Sequence, residues 1–133
     1  MPRLNDHGLH RISRALVHAF IIAFGVLGVT PWQTGSVQQA GYFGWVECAS
    51  LIVLGTFGVV AAIRDRTLAE IIVLRAEALT FLVVSAAAVV LLIDDGFQQW
   101  QGVMTYLALS ASLGARSLSL ARALSLIVEV RRG

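Results

Sequence analysis

Residues 71–93, IIVLRAEALTFLVVSAAAVVLLI, constrain the fold more than any other stretch of the chain. From Ala78 to Ile93 nothing is charged, and Arg75 and Glu77 lie close to one end. About 20 predominantly apolar residues cross the hydrocarbon of a bilayer as a helix. With Arg75 and Glu77 in the inner leaflet, the stretch fits such a span.

The rest of the chain agrees. Only 14% of its 133 residues are charged, where a soluble domain carries about a quarter. Three further apolar runs predict helices over residues 12–29, 42–63 and 103–130, which with 71–93 makes four crossings. Pro31 ends the first, because the residue before a proline is pushed out of helical geometry. Asp94-Asp95-Gly96 stops the third, and the charged RDRTLAE (64–70) reads as the connection before it. The last run continues as the amphipathic ARSLSLARALSLIVEVRR, predicting one helix that outlasts the bilayer. Residues 1–11 form a polar lead-in. Arginines ahead of Ala15–Val29 raise the question of a signal peptide. Gln38 and Gln39 occupy positions where a cleavage site wants small residues, so a retained first helix is expected.

The ten basic residues are all arginines, and they give the orientation. Arg3, Arg11 and Arg14 flank the first helix, Arg64 and Arg66 lie between the second and third, and Arg122, Arg131 and Arg132 follow the mid-point of the fourth. Segments 30–41 and 94–102 hold no basic residue. Basic residues favour the cytoplasmic side, and Trp and Tyr favour the interfaces. Trp32, Tyr42, Trp45, Trp100 and Tyr106 all fall toward the opposite side. The expectation is an all-α, integral membrane four-helix bundle of the bacterial cytoplasmic membrane, a single domain over 1–133, with both termini on the cytoplasmic side. Short connections predict antiparallel sequential neighbours.

Ionisable residues at membrane depth are rare and often functional. Arg75 and Glu77 are two positions apart and point away from each other on a helix. Arg75 is expected to snorkel to the surface. At ~1.5 Å per residue, Glu77 lies roughly 24 Å and Arg116 roughly 21 Å from the outer ends of their helices. That matching depth predicts a Glu77–Arg116 ion pair locking the third helix to the fourth. Glu47 sits near the outer end of the second helix, with Tyr106 as a candidate donor. His18 is expected near the inner surface, satisfied or snorkelling, and Arg122 marks the end of the fourth span. Ser110, Gly114, Ser117 and Ala121 make a small, weakly polar stripe at helical spacing, suited to close helix approach within the bundle or between copies. Gly25, Gly28, Gly55 and Gly58 suit tight packing likewise.

No catalytic motif, phosphate loop or paired metal-binding histidines can be read from the chain. Cys48 is the only cysteine, which excludes an intrachain disulfide, and inside an apolar run it is expected to pack as a small hydrophobe. His7 and His10 lie in a polar terminus, and His18 alone is not expected to ligate haem. No enzyme activity, cofactor or metal is expected. A net charge of +2 is too small to suggest nucleic acid. The expected partners are the lipid bilayer and either further copies of the chain or a larger membrane protein.

WVECASLIVLGTFGVVAAIRDR, LRAEALTFLVVSAAAVVLLI and the arginine-punctuated ARSLSLARAL together resemble small four-helix membrane proteins of actinobacterial phages and their hosts. The resemblance covers about two thirds of the chain as a pattern, and it carries over no functional residue. It implies a non-enzymatic, holin-like protein that self-associates in the membrane. The alternatives are an accessory subunit or exclusion factor bound to a larger membrane protein and, third, a small channel or transporter. The small proton-coupled exporters carry their essential glutamate in the first helix, and this first helix has none.

Overall fold

The computed structural model describes residues 6–28, 42–95 and 100–132. They form four helices: α1 (Asp6–Gly28), α2 (Tyr42–Ile63), α3 (Thr67–Asp95) and α4 (Trp100–Arg132). Each is long and apolar enough to cross a membrane. The segments 30–41 and 96–99, with Pro31 and Trp32, lie outside the described residues. α1 begins six residues earlier than expected from the apolar run, and α4 runs unbroken beyond the bundle, its residues from Arg122 to Val130 nearly all exposed.

α1 packs on α2, α2 on α3 and α3 on α4. The α1–α2 contact is built on glycine. A β-carbon on Gly25 would lie 2.9 Å from both the Cys48 carbonyl oxygen and the Ile52 side chain, and one on Gly55 would lie 2.7 Å from Ile22. Glycine lets the two backbones approach closely, which is how helices gain van der Waals contact where lipid removes the hydrophobic drive to associate. Cys48 is buried, as a small hydrophobe, against Gly25 and Gly28.

The link from α2 to α3 is shorter than the sequence suggests. RDRTLAE is not a seven-residue connection, because α3 starts at Thr67 and only Arg64-Asp65-Arg66 lie between the helices. The turn closes α2 with two backbone bonds, Asp65 N–H to the Ala62 carbonyl (3.3 Å) and Arg66 N–H to the Ala61 carbonyl (2.9 Å). This is the Schellman pattern, whose reversal residue adopts the left-handed conformation and is usually glycine. Here Asp65 occupies it at φ 55°, so the position retains a carboxylate where glycine would fit more easily.

The core is a column of Ile21, Leu51, Leu74, Phe81 and Leu113, with Phe24 and Tyr106 packed against it. Phe24 meets Phe81 and Tyr106 edge-on, at centroid distances of 5.8 and 6.0 Å. Such geometry suits the quadrupoles of aromatic rings. Tyr106 is therefore half-buried against the core rather than fully exposed as the aromatic belt expected from sequence suggests. Trp45 is exposed, as a belt residue would be.

Candidate functional site

On α3 the residues Glu70, Leu74, Glu77, Phe81 and Ser85 recur at helical spacing, and all are buried. On α1 the stripe is Arg14, His18, Ile21 and Gly25, also buried. α1 and α3 each pack antiparallel against α2, so they run parallel to each other and their stripes face one another in register. The charged rungs meet at the end nearest the α2–α3 turn.

Arg14 forms the outer rung. Its Nε donates to Glu70 Oε2 at 2.7 Å, its Nη2 donates to the same oxygen, and its Nη1 donates to Asp65 Oδ1 at 2.8 Å. The side chains of Arg14 and Glu70 are 5% and 0% exposed, so this ion pair is withdrawn from solvent. Asp65 also accepts from Arg11 Nη2 at 3.2 Å, in a more open setting. The hydrogen bond from Arg14, followed by the charges of Arg11 and Arg14, holds the Asp65 carboxyl below the usual carboxylate range.

The inner rung is His18. Its Nδ1 lies 3.0 Å from Glu77 Oε1, and its Nε2 lies 3.9 Å from Glu70 Oε1. Each ring nitrogen thus faces a different buried carboxylate. His18 Nε2, Glu70 Oε1 and Glu77 Oε2 are buried without a hydrogen-bond partner among the described residues. The ring fits only because position 58 is glycine, since a β-carbon there would overlap the imidazole. Charge closes across the four groups when one extra proton sits on the His18–Glu77 pair: two carboxylates, one guanidinium and one proton. The arrangement can clasp α1 to α3, and it can hold a proton at depth.

One reading from sequence changes here and another narrows. Glu77 does not pair with Arg116. Among the described residues its ion-pair partner is His18, and Arg116 Nε is buried with no hydrogen-bond partner. The physical reason is rotational. α4 meets α3 at Ala78, whose carbonyl accepts from Ser110 Oγ at 2.8 Å, and Glu77 is turned about 100° away from its neighbour on the helix. Of the two expectations for His18, satisfied or snorkelling, its full burial excludes the second and its Nδ1 contact to Glu77 fits the first.

Arg14 and Glu70 were hidden in sequence because each stood next to a charged connection and read as topology. The signal that finds them is the seven-residue spacing of Glu70 and Glu77, which puts both on the Phe81 face once α3 is extended to Thr67.

The other candidates are scattered. Arg75 is exposed, and so is Arg122. Glu47 is half-buried near Cys48 and Tyr106, with no hydrogen bond to Tyr106. In the small-residue stripe, Ser110 bonds to α3 and Ser117 is buried, its hydroxyl donating to the Gly114 carbonyl at 2.8 Å. Ala121 is half-buried, and a β-carbon on Gly114 would meet nothing within 4 Å. The stripe is therefore divided between the α3 contact and open space. No protein-family model, curated protein or solved structure matches this chain.

Proposed function

We propose that the chain is a non-enzymatic, four-crossing protein of the bacterial cytoplasmic membrane that assembles laterally through α4 in a holin-like manner. Membrane insertion is supported by an inside-out distribution of side chains. Arg14, His18, Glu70 and Glu77 are at most 4% exposed, while Phe20, Phe57 and Leu79 are at least 60% exposed. In water that arrangement would be unfavourable on both counts, and in hydrocarbon it is favourable on both. Both termini and the Arg64–Arg66 turn lie on the cytoplasmic side. Arg14 is neutralised inside the bundle, so this orientation rests on the remaining arginines.

The observation that carries assembly is the uncovered face of α4. Only 11% of its span is buried, against 33% for the α2 and α3 spans. Gly114, with open space before it, lies at one edge of that uncovered surface, and Arg116, with an unpartnered buried Nε, lies at the opposite edge. A guanidinium near mid-span costs about 2.5–3.5 kcal/mol on insertion scales unless it is paired or wetted. Gathering several copies around an aqueous centre would wet it. One bundle has no lumen of its own, because the aromatic trio and aliphatic column fill its axis.

The test is disulfide trapping. Cys48→Ser removes the native thiol, and Gly114→Cys then places one on the α4 face. Oxidation of membranes is expected to give dimers whose yield rises with expression, and abrupt depolarisation after a delay. A monomer that persists at high density, with the membrane potential intact, would refute holin-like assembly. A second reading is favoured by the same Arg116: an accessory subunit whose guanidinium pairs with an intramembrane carboxylate of a larger protein. It predicts tolerance of overexpression and one co-purifying partner that is lost in Arg116→Gln.

A further inference from the structure

The charge cluster between α1 and α3 has one open end and one closed end. At the open end Asp65 and Arg11 have side chains 47% and 50% exposed. Inward from them come Arg14 with Glu70, then His18, then Glu77. Beyond Glu77 the next buried turn of α3 is Phe81, which with Phe24 and Tyr106 forms an aromatic plug. Glu47 belongs to the other side of that plug, beside Cys48 and Tyr106. The ionisable ladder therefore enters the bundle from the α2–α3 turn and does not traverse it.

We propose that His18 and Glu77 form a site for a single exchangeable proton at membrane depth, at the inner end of the ladder that opens toward the α2–α3 turn. The geometry of the imidazole carries the proposal. Each nitrogen faces a carboxylate oxygen on a different turn of α3: Nε2 faces Glu70 Oε1 at 3.9 Å, and Nδ1 is bonded to Glu77 Oε1 at 3.0 Å. Nε2, Glu70 Oε1 and the second Glu77 oxygen, Oε2, lack any fixed competitor for a proton, since all three are buried and unpartnered among the described residues.

The transfer balances. A proton taken up from solvent binds Nε2, giving an imidazolium beside two carboxylates, with Glu70 Oε1 facing the new N–H. The Nδ1 proton then passes to Glu77 Oε1, so the N–H bond at Nδ1 breaks and the ring returns to its neutral form with the proton on Nε2. The net result is one proton taken up and held on Glu77, with Glu70 remaining a carboxylate. A contraction of roughly 1 Å brings Nε2 and Glu70 Oε1 to hydrogen-bond distance, within the reach of a side-chain rotation.

The groups that act on this proton come from every packed element. α1 supplies Arg14, which holds Glu70 by its other oxygen and leaves Oε1 free. α2 supplies no charge and presses Gly55 and Gly58 against His18. α3 supplies Glu70 and Glu77, the turn supplies Asp65 through Arg14, and α4 supplies Arg116, which makes no ion pair with the cluster. A static clasp would need the same contacts but no exchange, so the experiment must follow the proton.

The full chain, labelled with ¹⁵N-histidine and ¹³C-glutamate and reconstituted in phosphatidylethanolamine–phosphatidylglycerol vesicles, is titrated between about pH 5 and about pH 10, a range that brackets histidine titration in ordinary and perturbed settings. His7→Gln and His10→Gln isolate the His18 signal. The expected result is a His18 resonance that changes protonation or tautomer within this range, together with a protonated-carboxyl infrared band that grows on acidification. That band should vanish in Glu77→Gln and persist in Glu47→Gln. A His18 resonance and carboxyl spectrum constant across the range would overturn the proposal, and so would a band that survives Glu77→Gln. If Glu77→Gln fails to fold, the wild-type His18 resonance alone decides between exchange and a fixed clasp.

Discussion

Glu70→Gln tests the clasp where its energetics are most exposed to measurement. The substitution keeps the shape of the side chain and one acceptor oxygen, so Arg14 Nε and Nη2 still have somewhere to donate. What is lost is the charge. Breaking a buried ion pair from one side costs about 3–5 kcal/mol when the survivor is left uncompensated. Arg14 is not left wholly uncompensated, because Asp65 Oδ1 stays 2.8 Å from Nη1. Two neutral-acceptor hydrogen bonds of about 1 kcal/mol each also replace charge-assisted ones of about 1.5–3 kcal/mol. The expected loss is therefore about 2–3 kcal/mol, a factor of roughly 30–150 in the folded-to-unfolded ratio. Equilibrium unfolding in mixed micelles, followed by tryptophan fluorescence, reads it. A double-mutant cycle with Arg14→Gln should return a coupling of about 2 kcal/mol. A single loss below about 0.6 kcal/mol, the average for polar contacts between membrane helices, or strictly additive losses, would refute a load shared between Arg14 and Glu70.

Gly58→Ala should destabilise by about 1–3 kcal/mol, the range for overpacking, because its β-carbon overlaps the His18 ring. The His18→Ala background should absorb most of that loss in the same unfolding assay. Asp65 separates backbone from charge: Asp65→Gly should relieve the left-handed turn yet release Arg11 and Arg14, whereas Asp65→Asn tolerates the turn and loses only the charge. Its folded-state carboxyl is held below its unfolded range, so its contribution is present above that range and lost on acidification. The stability gap between wild type and Asp65→Asn should therefore narrow as pH falls through the carboxylate range. Ser110→Ala should cost only about 0.6 kcal/mol in unfolding, since it removes one hydrogen bond between α3 and α4.

The helices were legible because hydrocarbon imposes length and hydropathy on any segment that would cross it. Their boundaries drifted where charge was taken as a mark of loop. Glu70 illustrates this: it stands three residues inside α3, yet RDRTLAE contains four charges and reads as a connection. Depth along a helix was legible as well, and it correctly marks Glu77 as buried and in need of a partner on another helix. The direction in which Glu77 points was not. Arg116 and His18 both lie within reach by depth, and only the angle around α3 separates them. Ala78 faces α4, and Glu77 faces α1. That angle is set by the parallel alignment of α1 with α3, a contact between helices distant in sequence that a comparison of sequential neighbours never considers. The glycines were legible as close-packing positions, but the role of Gly58 was not, because nothing in sequence ties it to His18.

The two sets of membrane-depth charges ask for different solutions. Around α1 and α3, each buried ionisable side chain of the cluster, Arg14, His18, Glu70 and Glu77, contacts another of them, so this end of the bundle is satisfied within the chain. α4 differs on each point. Its Ser110 and Leu113 side is taken by the bundle, its Gly114 looks onto open space, and Arg116 retains a buried nitrogen with nothing to donate to. A chain able to bury four ionisable groups in mutual contact has the means to satisfy a fifth. Leaving that one unpaired on its least covered helix fits a protein whose final partner for Arg116 comes from outside the single bundle. The wetted centre of an assembly and a carboxylate on another membrane protein both answer that requirement. Arg116→Gln distinguishes a requirement from an accident. If the unpaired guanidinium is merely tolerated, its removal should leave assembly unchanged and raise the yield of inserted protein. If it specifies the contact, insertion should improve while trapping through position 114, or partner capture, is lost.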